Sequence, residues 1–231
     1  MILPPKRLIT AIDTADIDHA AGLVHAVAPH SGLVKLGLEF FLRNGPAGLA
    51  VAGGVPVFLD LKLHDIPNTV AGAVRALLPL NVAMITVHAA GGSAMLEAAV
   101  QTAALAGATR PMILAVTVLT SLDATGLNDT GIAGGTTQQV LRLARLALEA
   151  GVDGLVCSAH ELPQLRDAFG PKPILVVPGI RPAGRANGDQ RRVMTPEVAI
   201  AAGASYIVVG RPITESEDAG QAAADIAEAI K

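Results

Sequence analysis

The chain has 231 residues, of which 51% are hydrophobic, 16% charged and only 2% aromatic, with four Phe, one Tyr and no Trp. Apolar content at this level excludes a disordered or linker-like chain, and the scarcity of rings implies an aliphatic core with no platform for stacking nucleic-acid bases. Seventeen Lys and Arg against 20 Asp and Glu give a net charge of −3, which excludes a protein held to nucleic acid or an anionic membrane by charge alone.

The N-terminus runs from Met1 through Pro4-Pro5-Lys6-Arg7 into an apolar run, without the layout of a signal peptide. From there, short runs rich in Val, Ile and Leu predict strands at Leu8 to Ile12, Leu33 to Leu38, Val57 to Lys62, Ala83 to His88, Ile113 to Leu119, Gly154 to Ser158, Ile174 to Pro178 and Tyr206 to Gly210. Between them, stretches with helical spacing are read at Asp16 to Ala28, Val70 to Leu78, Ala94 to Ala106, Thr136 to Ala150 and Glu215 to Ile230, several opening at Asp, Ser or Thr caps. The mean hydropathy of +0.50 raises the question of a membrane span. The longest stretch without Asp, Glu, Lys or Arg, Ala76 to Leu96, contains Pro79, Asn81, His88 and Gly91-Gly92-Ser93, and reads as a helix end, a buried strand and a loop. Cys157 is the one cysteine, so an internal disulfide and a multi-cysteine zinc site are excluded. A cytoplasmic protein without membrane attachment is expected.

Eight βα units in 231 residues is about 29 per unit, close to one βαβ repeat. Continuously apolar strands point to a parallel sheet buried on both faces. An open doubly wound sheet fits the alternation almost as well, and the count of eight with the chain length selects a (β/α)8 TIM barrel, class α/β, as one domain over residues 1–231. Such barrels carry their chemistry at the C-terminal ends of the strands.

Those ends are charged. The first strand runs into Asp13, the second contains Lys35, and the third ends Asp60-Leu61-Lys62-Leu63-His64-Asp65. Alternation puts Asp60 and Lys62 on one face, with Asp65 just beyond. Asp13 alone reads best as a cap or a rim ion pair. The Asp60, Lys62, Asp65 group reads as functional, because two anions beside an ammonium keep it protonated and aimed for proton delivery. The loops after the seventh and eighth strands read Pro178-Gly179-Ile180-Arg181 and Gly210-Arg211. Barrels often bind phosphate there, with glycine admitting the anion to backbone amides and each guanidinium offering two parallel hydrogen bonds. Arg185, Arg191 and Arg192 read as solvent-facing charges. Cys157 reads as a small buried hydrophobe, Phe40, Phe41 and Phe58 as core or interface packing, His88 as a hydrogen-bonded structural residue, and His64 as a neighbour of the site.

The string DLKLHDIPNTV from Asp60, with VKLGLEFF from Val34, VTVLTS from Val116, PGIRP from Pro178, GDQRR from Gly188 and VGRPIT from Val209, resembles the orotidine 5′-phosphate decarboxylase family across essentially the whole chain. That resemblance implies removal of CO2 from orotidine 5′-monophosphate to give UMP, the last step of de novo UMP biosynthesis, without metal or organic cofactor. It implies that Lys62 protonates C6, with Asp60 and Asp65 fixing the lysine and crowding the substrate carboxylate. Asp13 and Lys35 would bind ribose hydroxyls, Thr120 the pyrimidine, and Arg181, Gln190, Gly210 and Arg211 the phosphate. A homodimer is implied too, Asp65 and Thr69 reaching into the partner's site. Sister enzymes of the ketogulonate-phosphate and hexulose-phosphate kind share the Asp-x-Lys-x-x-Asp group but use Mg2+, with an acidic ligand where this chain has Lys35. A phosphate-binding barrel without catalysis would have no use for three packed charges.

Overall fold

The structure, a computed structural model, describes residues 6–182 and 194–231. Its eight strands are β1 Leu8–Ile12, β2 Leu33–Gly37, β3 Val57–Leu63, β4 Met84–His88, β5 Met112–Val116, β6 Gly154–Val156, β7 Ile174–Val177 and β8 Tyr206–Val209. They pair in parallel, in chain order, and β8 closes on β1 through Leu8↔Ile207, Ile9↔Val208 and Thr10↔Val209. The expected TIM barrel is therefore the observed architecture. Around it, among the described residues, lie α1 Ile17–Val27, α2 Leu38–Asn44, α3 Pro67–Leu77, α4 Ser93–Ala104, α5 Ala124–Asp129, α6 Thr136–Glu149, α7 Leu162–Phe169, α8 Pro196–Ala201, α9 Arg211–Thr214 and α10 Ala219–Ala229. No helix among the described residues is long and apolar enough to cross a membrane.

Local chemistry sets the helix starts. Asp16 accepts the His19 N–H at 2.8 Å ahead of α1, Asp218 the Gln221 N–H at 2.9 Å ahead of α10, and Asp123 the Gly126 N–H at 3.0 Å ahead of α5. Each satisfies an amide that has no partner within its helix, a cap worth about 1 kcal/mol. Pro67 opens α3, where its missing N–H costs nothing. Along α6, buried Val140, Leu143, Ala144 and Ala147 follow the i, i+3, i+4, i+7 rule and form its apolar stripe.

The strands look uniformly apolar because both faces are buried, yet two-residue alternation sorts them into two cores. Ile9, Ala11, Leu33, Phe58, Met84, Met112, Leu114, Val176, Tyr206 and Val208 pack together inside the barrel. Their neighbours Leu8, Ile12, Val34, Leu36, Leu59, Ile85, Ile113, Leu175 and Ile207 face the helices. β1 and β4 end as expected and β3 runs one residue further, to Leu63, but β2, β5, β6, β7 and β8 end before their apolar runs do. The fifth strand ends at Val116, not Leu119: the Thr117 N–H and hydroxyl both donate to the Val156 carbonyl at 3.1 Å, and β6 offers no residue beyond it to pair with.

At the opposite, N-terminal face, polar side chains pin the strand starts. Arg110 grips Asp153 through both guanidinium nitrogens, at 2.9 and 2.5 Å, while Asp153 also accepts the Ile113 N–H at 2.8 Å, tying β5 to the entry of β6. Gly154 permits the close approach that follows: a Cβ there would lie 2.2 Å from the Ile174 carbonyl oxygen on β7.

Candidate active site

Continuing the inward alternation by one step explains how the charges reach the barrel mouth. Two residues beyond Leu33, Phe58 and Met84 in the interior core stand Lys35, Asp60 and Thr86 on β2, β3 and β4. The apolar layers thus end in a polar one. The Lys35 ammonium lies 3.2 Å from Asp13 Oδ1 and 3.6 Å from Asp60 Oδ2, bridging the two carboxylates. Lys62 Nζ is held by both oxygens of Asp60, each at 2.9 Å. Lys35 and Asp60 are largely buried, at 13% and 12% side-chain exposure, whereas Lys62 at 31% and Asp13 at 56% open toward solvent.

Burial alone would raise the Asp60 carboxyl, but the Lys35 and Lys62 ammonium groups, with hydrogen bonds from Lys62 and Thr86, hold it below the ordinary carboxylate range. Asp60 is therefore ionised throughout the neutral range. His88 is pushed down by burial and then by the nearby His64 and Lys62 charges, which favours its neutral form.

The strand carrying Lys62 is not regular. Pairing passes from Leu59↔Ile85 directly to Leu63↔Val87, so Asp60, Leu61 and Lys62 lie opposite Thr86 alone. Lys62 adopts φ of +50°, in the left-handed region that side chains disfavour. This bulge interrupts the simple pleat on which His64 would face the site with Lys62. His64 is instead exposed, its ring 5.3 Å from that of His88, and neither histidine lines the cavity.

The cavity at this mouth measures about 540 Å3. Asp13, Lys35, Asp60, Lys62, Thr120, Arg181, Gly210 and Arg211 all line it, so residues far apart in the chain converge as expected. Its apolar lining includes Ala11, Phe58, Val116, Val156, Cys157 and Val208. Phe58 and Cys157 are thus core residues that also bound the cavity, while Phe40 packs in the outer core and Phe41 against it. Arg181 is only 8% exposed, and its guanidinium donates to the Ile180 carbonyl at 3.1 Å. Burial, and next the Arg211 charge, lower its pKa from the ordinary value, while Glu215 opposes them. Two cations that repel each other at one end of a cavity make a favourable place for an anion. Gly210 permits the tight floor here, since a Cβ would lie 3.2 Å from Asp13 Oδ2 and 3.5 Å from the Ala11 Cβ.

Asp65 and Thr69 do not join this cavity. Both are exposed, and Asp65 Oδ1 accepts the Ile66 N–H at 2.6 Å instead of meeting Lys62. Within one chain, then, Asp60 and not Asp65 holds the lysine. Gln190 and the GDQRR segment, with Arg185, Arg191 and Arg192, lie outside the described residues. Sequence reasoning missed Thr86, Thr14, His19 and Glu215; the signal for Thr86 was a polar residue at an inward position of an apolar strand.

A model of the orotidine 5′-phosphate decarboxylase / HUMPS family matches residues 6–226. The chain is 52% identical to orotidine 5′-phosphate decarboxylase of Anaeromyxobacter sp. (strain K) over 98% of its length and 99% of that relative. It is 55% identical to orotidine 5′-phosphate decarboxylase of Sphingopyxis alaskensis over 94% of its length and 95% of that relative. Among solved structures, it superposes on orotidine 5′-phosphate decarboxylase from Lactobacillus acidophilus with a TM-score of 0.87 and 36% identity, covering 98% of this chain and 99% of that one.

Proposed function

The chain belongs to the orotidine 5′-phosphate decarboxylase / HUMPS family and converts orotidine 5′-monophosphate to UMP in pyrimidine biosynthesis, and we propose that Lys62 is the residue that protonates C6 of the pyrimidine. The observation that carries this reading is the Lys62 ammonium, fixed by both oxygens of an ionised Asp60 at 2.9 Å and opening onto the cavity between apolar walls and a paired-arginine end.

In the proposed reaction the bond between C6 and the carboxylate breaks heterolytically and CO2 departs. The electron pair stays on C6, the Lys62 ammonium transfers its proton there, and solvent reprotonates the amine. A C6 carbanion has no directly conjugated carbonyl to accept its charge, so its stabilisation must be electrostatic and in place beforehand. Lys62 supplies the positive charge, and Asp60 repels the substrate carboxylate while holding the Lys62 ammonium in place. Lys35 and Asp13 are assigned to the ribose hydroxyls, Thr120 to the pyrimidine, and Arg181, Gly210, Arg211 and Gln190 to the phosphate. Binding energy at the remote phosphate is then available at the reacting carbon.

Asp65 and Thr69 are assigned to the site of a second copy in a homodimer. Their exposure supports this, together with Ile66 beside them at 67% exposure. Residues 1–231 are taken to act as one barrel domain in the cytoplasm. The reading requires no metal: the Lys35 ammonium supplies, between Asp13 and Asp60, the positive charge that a divalent ion supplies in the sister enzymes. Loss of the ultraviolet absorbance of orotidine 5′-monophosphate is expected to proceed unchanged in EDTA. Turnover that requires added Mg2+ would overturn the metal-free mechanism.

A further inference from the structure

The bulge in β3 poses a bonding problem. Three residues there face one on β4, so the ladder offers the Lys62 N–H no regular backbone partner. Thr86, fully buried on β4, resolves it with its side chain: Oγ1 accepts the Lys62 N–H at 2.8 Å. The same oxygen donates its one proton to Asp60 Oδ1 at 2.9 Å. A single hydroxyl therefore fixes both the left-handed turn from which the Lys62 side chain departs and the rotation of the carboxylate that grips its ammonium.

We infer that Thr86 is a positioning residue for the proton donor, its hydroxyl coupling the aim of the Lys62 backbone to the orientation of Asp60. Thr86 does not line the cavity and acts only through its two neighbours. The inference rests on the assignment of Lys62 as the acid. Valine has nearly the shape of threonine but neither donates nor accepts, so it would leave both the amide and the carboxylate oxygen without this partner.

The test compares Thr86→Val, Thr86→Ser, Lys62→Ala and the parent, assaying orotidine 5′-monophosphate turnover and UMP affinity in the full chain. Misaiming the donor predicts a roughly 10–100-fold lower kcat for Thr86→Val, with KM and UMP affinity within about twofold of the parent because uniform binding is untouched. Thr86→Ser, which restores the hydroxyl, is expected to recover most of the loss. The acid limb of the kcat profile should also move to higher pH in Thr86→Val, because a carboxylate deprived of a donor ionises less readily. The charges acting on Asp60 are otherwise unchanged: Lys35 from β2, itself paired with Asp13, Lys62 from β3, and His88 from β4. Parent-like kcat in Thr86→Val, equal impairment in Thr86→Ser, or an effect confined to KM would overturn the inference. If Thr86→Val does not fold, Thr86→Cys, of similar volume and weaker bonding, decides: intermediate kcat supports the inference and parent-like kcat refutes it. Near-normal turnover in Lys62→Ala refutes the donor assignment instead, so the two failures are distinguishable.

Discussion

At the scale of single residues, the site is an alternating row of charge, Asp13, Lys35, Asp60, Lys62, in which each ammonium has a carboxylate neighbour. Asp60 is its pivot, since it touches Lys35, Lys62 and Thr86. Its carboxyl is held below the usual 3.8, so its ionic contribution to stability is fully present above that value and is lost as pH falls through the lower value of the folded protein. Thermal melts of the parent and Asp60→Asn across acid pH check this. The parent should lose Tm more steeply than the variant below the ordinary carboxylate range, and parallel curves would show that Asp60 carries no such linkage. The charged types and their spacing were legible in the sequence. The direction of Asp65 was not: nearness in the chain suggested that it flanks Lys62, but the chain turns into α3 and carries it outward.

At the scale of elements, strands were legible because each is a compact run of β-branched and aliphatic residues, and their starts fall within a residue of expectation. Their ends were less so, since an apolar sequence continues past the last residue that a neighbouring strand can pair. The short helices α2, α5, α7, α8 and α9 escaped notice because about two turns or fewer show little helical periodicity. The bulge at Lys62 was illegible for a different reason, as it depends on a partner hydroxyl on β4 and not on β3 alone. At the other end of the strands the Arg110–Asp153 pair is partly exposed, at 36% and 17%, yet Asp153 also holds the Ile113 amide. Asp153→Ala is expected to lose about 1–3 kcal/mol of stability, read by denaturant melts, with kcat within about twofold of the parent because the chemistry sits at the opposite face. A large fall in kcat at unchanged stability would contradict this division of labour between the two ends.

At the scale of the whole molecule, the closed barrel brings residues from Asp13 to Arg211 to one mouth, with Arg181 and Arg211, the cations proposed for the phosphate, just beyond β7 and β8, and Lys62, the proposed proton donor, on β3. Decarboxylation of this kind calls for transition-state stabilisation on the order of 20 kcal/mol, beyond any single charge, and the convergence supplies several at once. In the proposed homodimer, mixing inactive Lys62→Ala with inactive Asp65→Ala chains should restore part of the activity through hybrid sites. No recovery after demonstrated subunit exchange would contradict shared sites. The assignment of Lys62 as the proton donor is tested most directly by single-turnover decarboxylation in Lys62→Ala, with UMP affinity measured alongside. Turnover is expected to fall to the detection limit in this variant with UMP still bound through its phosphate and ribose; turnover near that of the parent would show that Lys62 is not the donor.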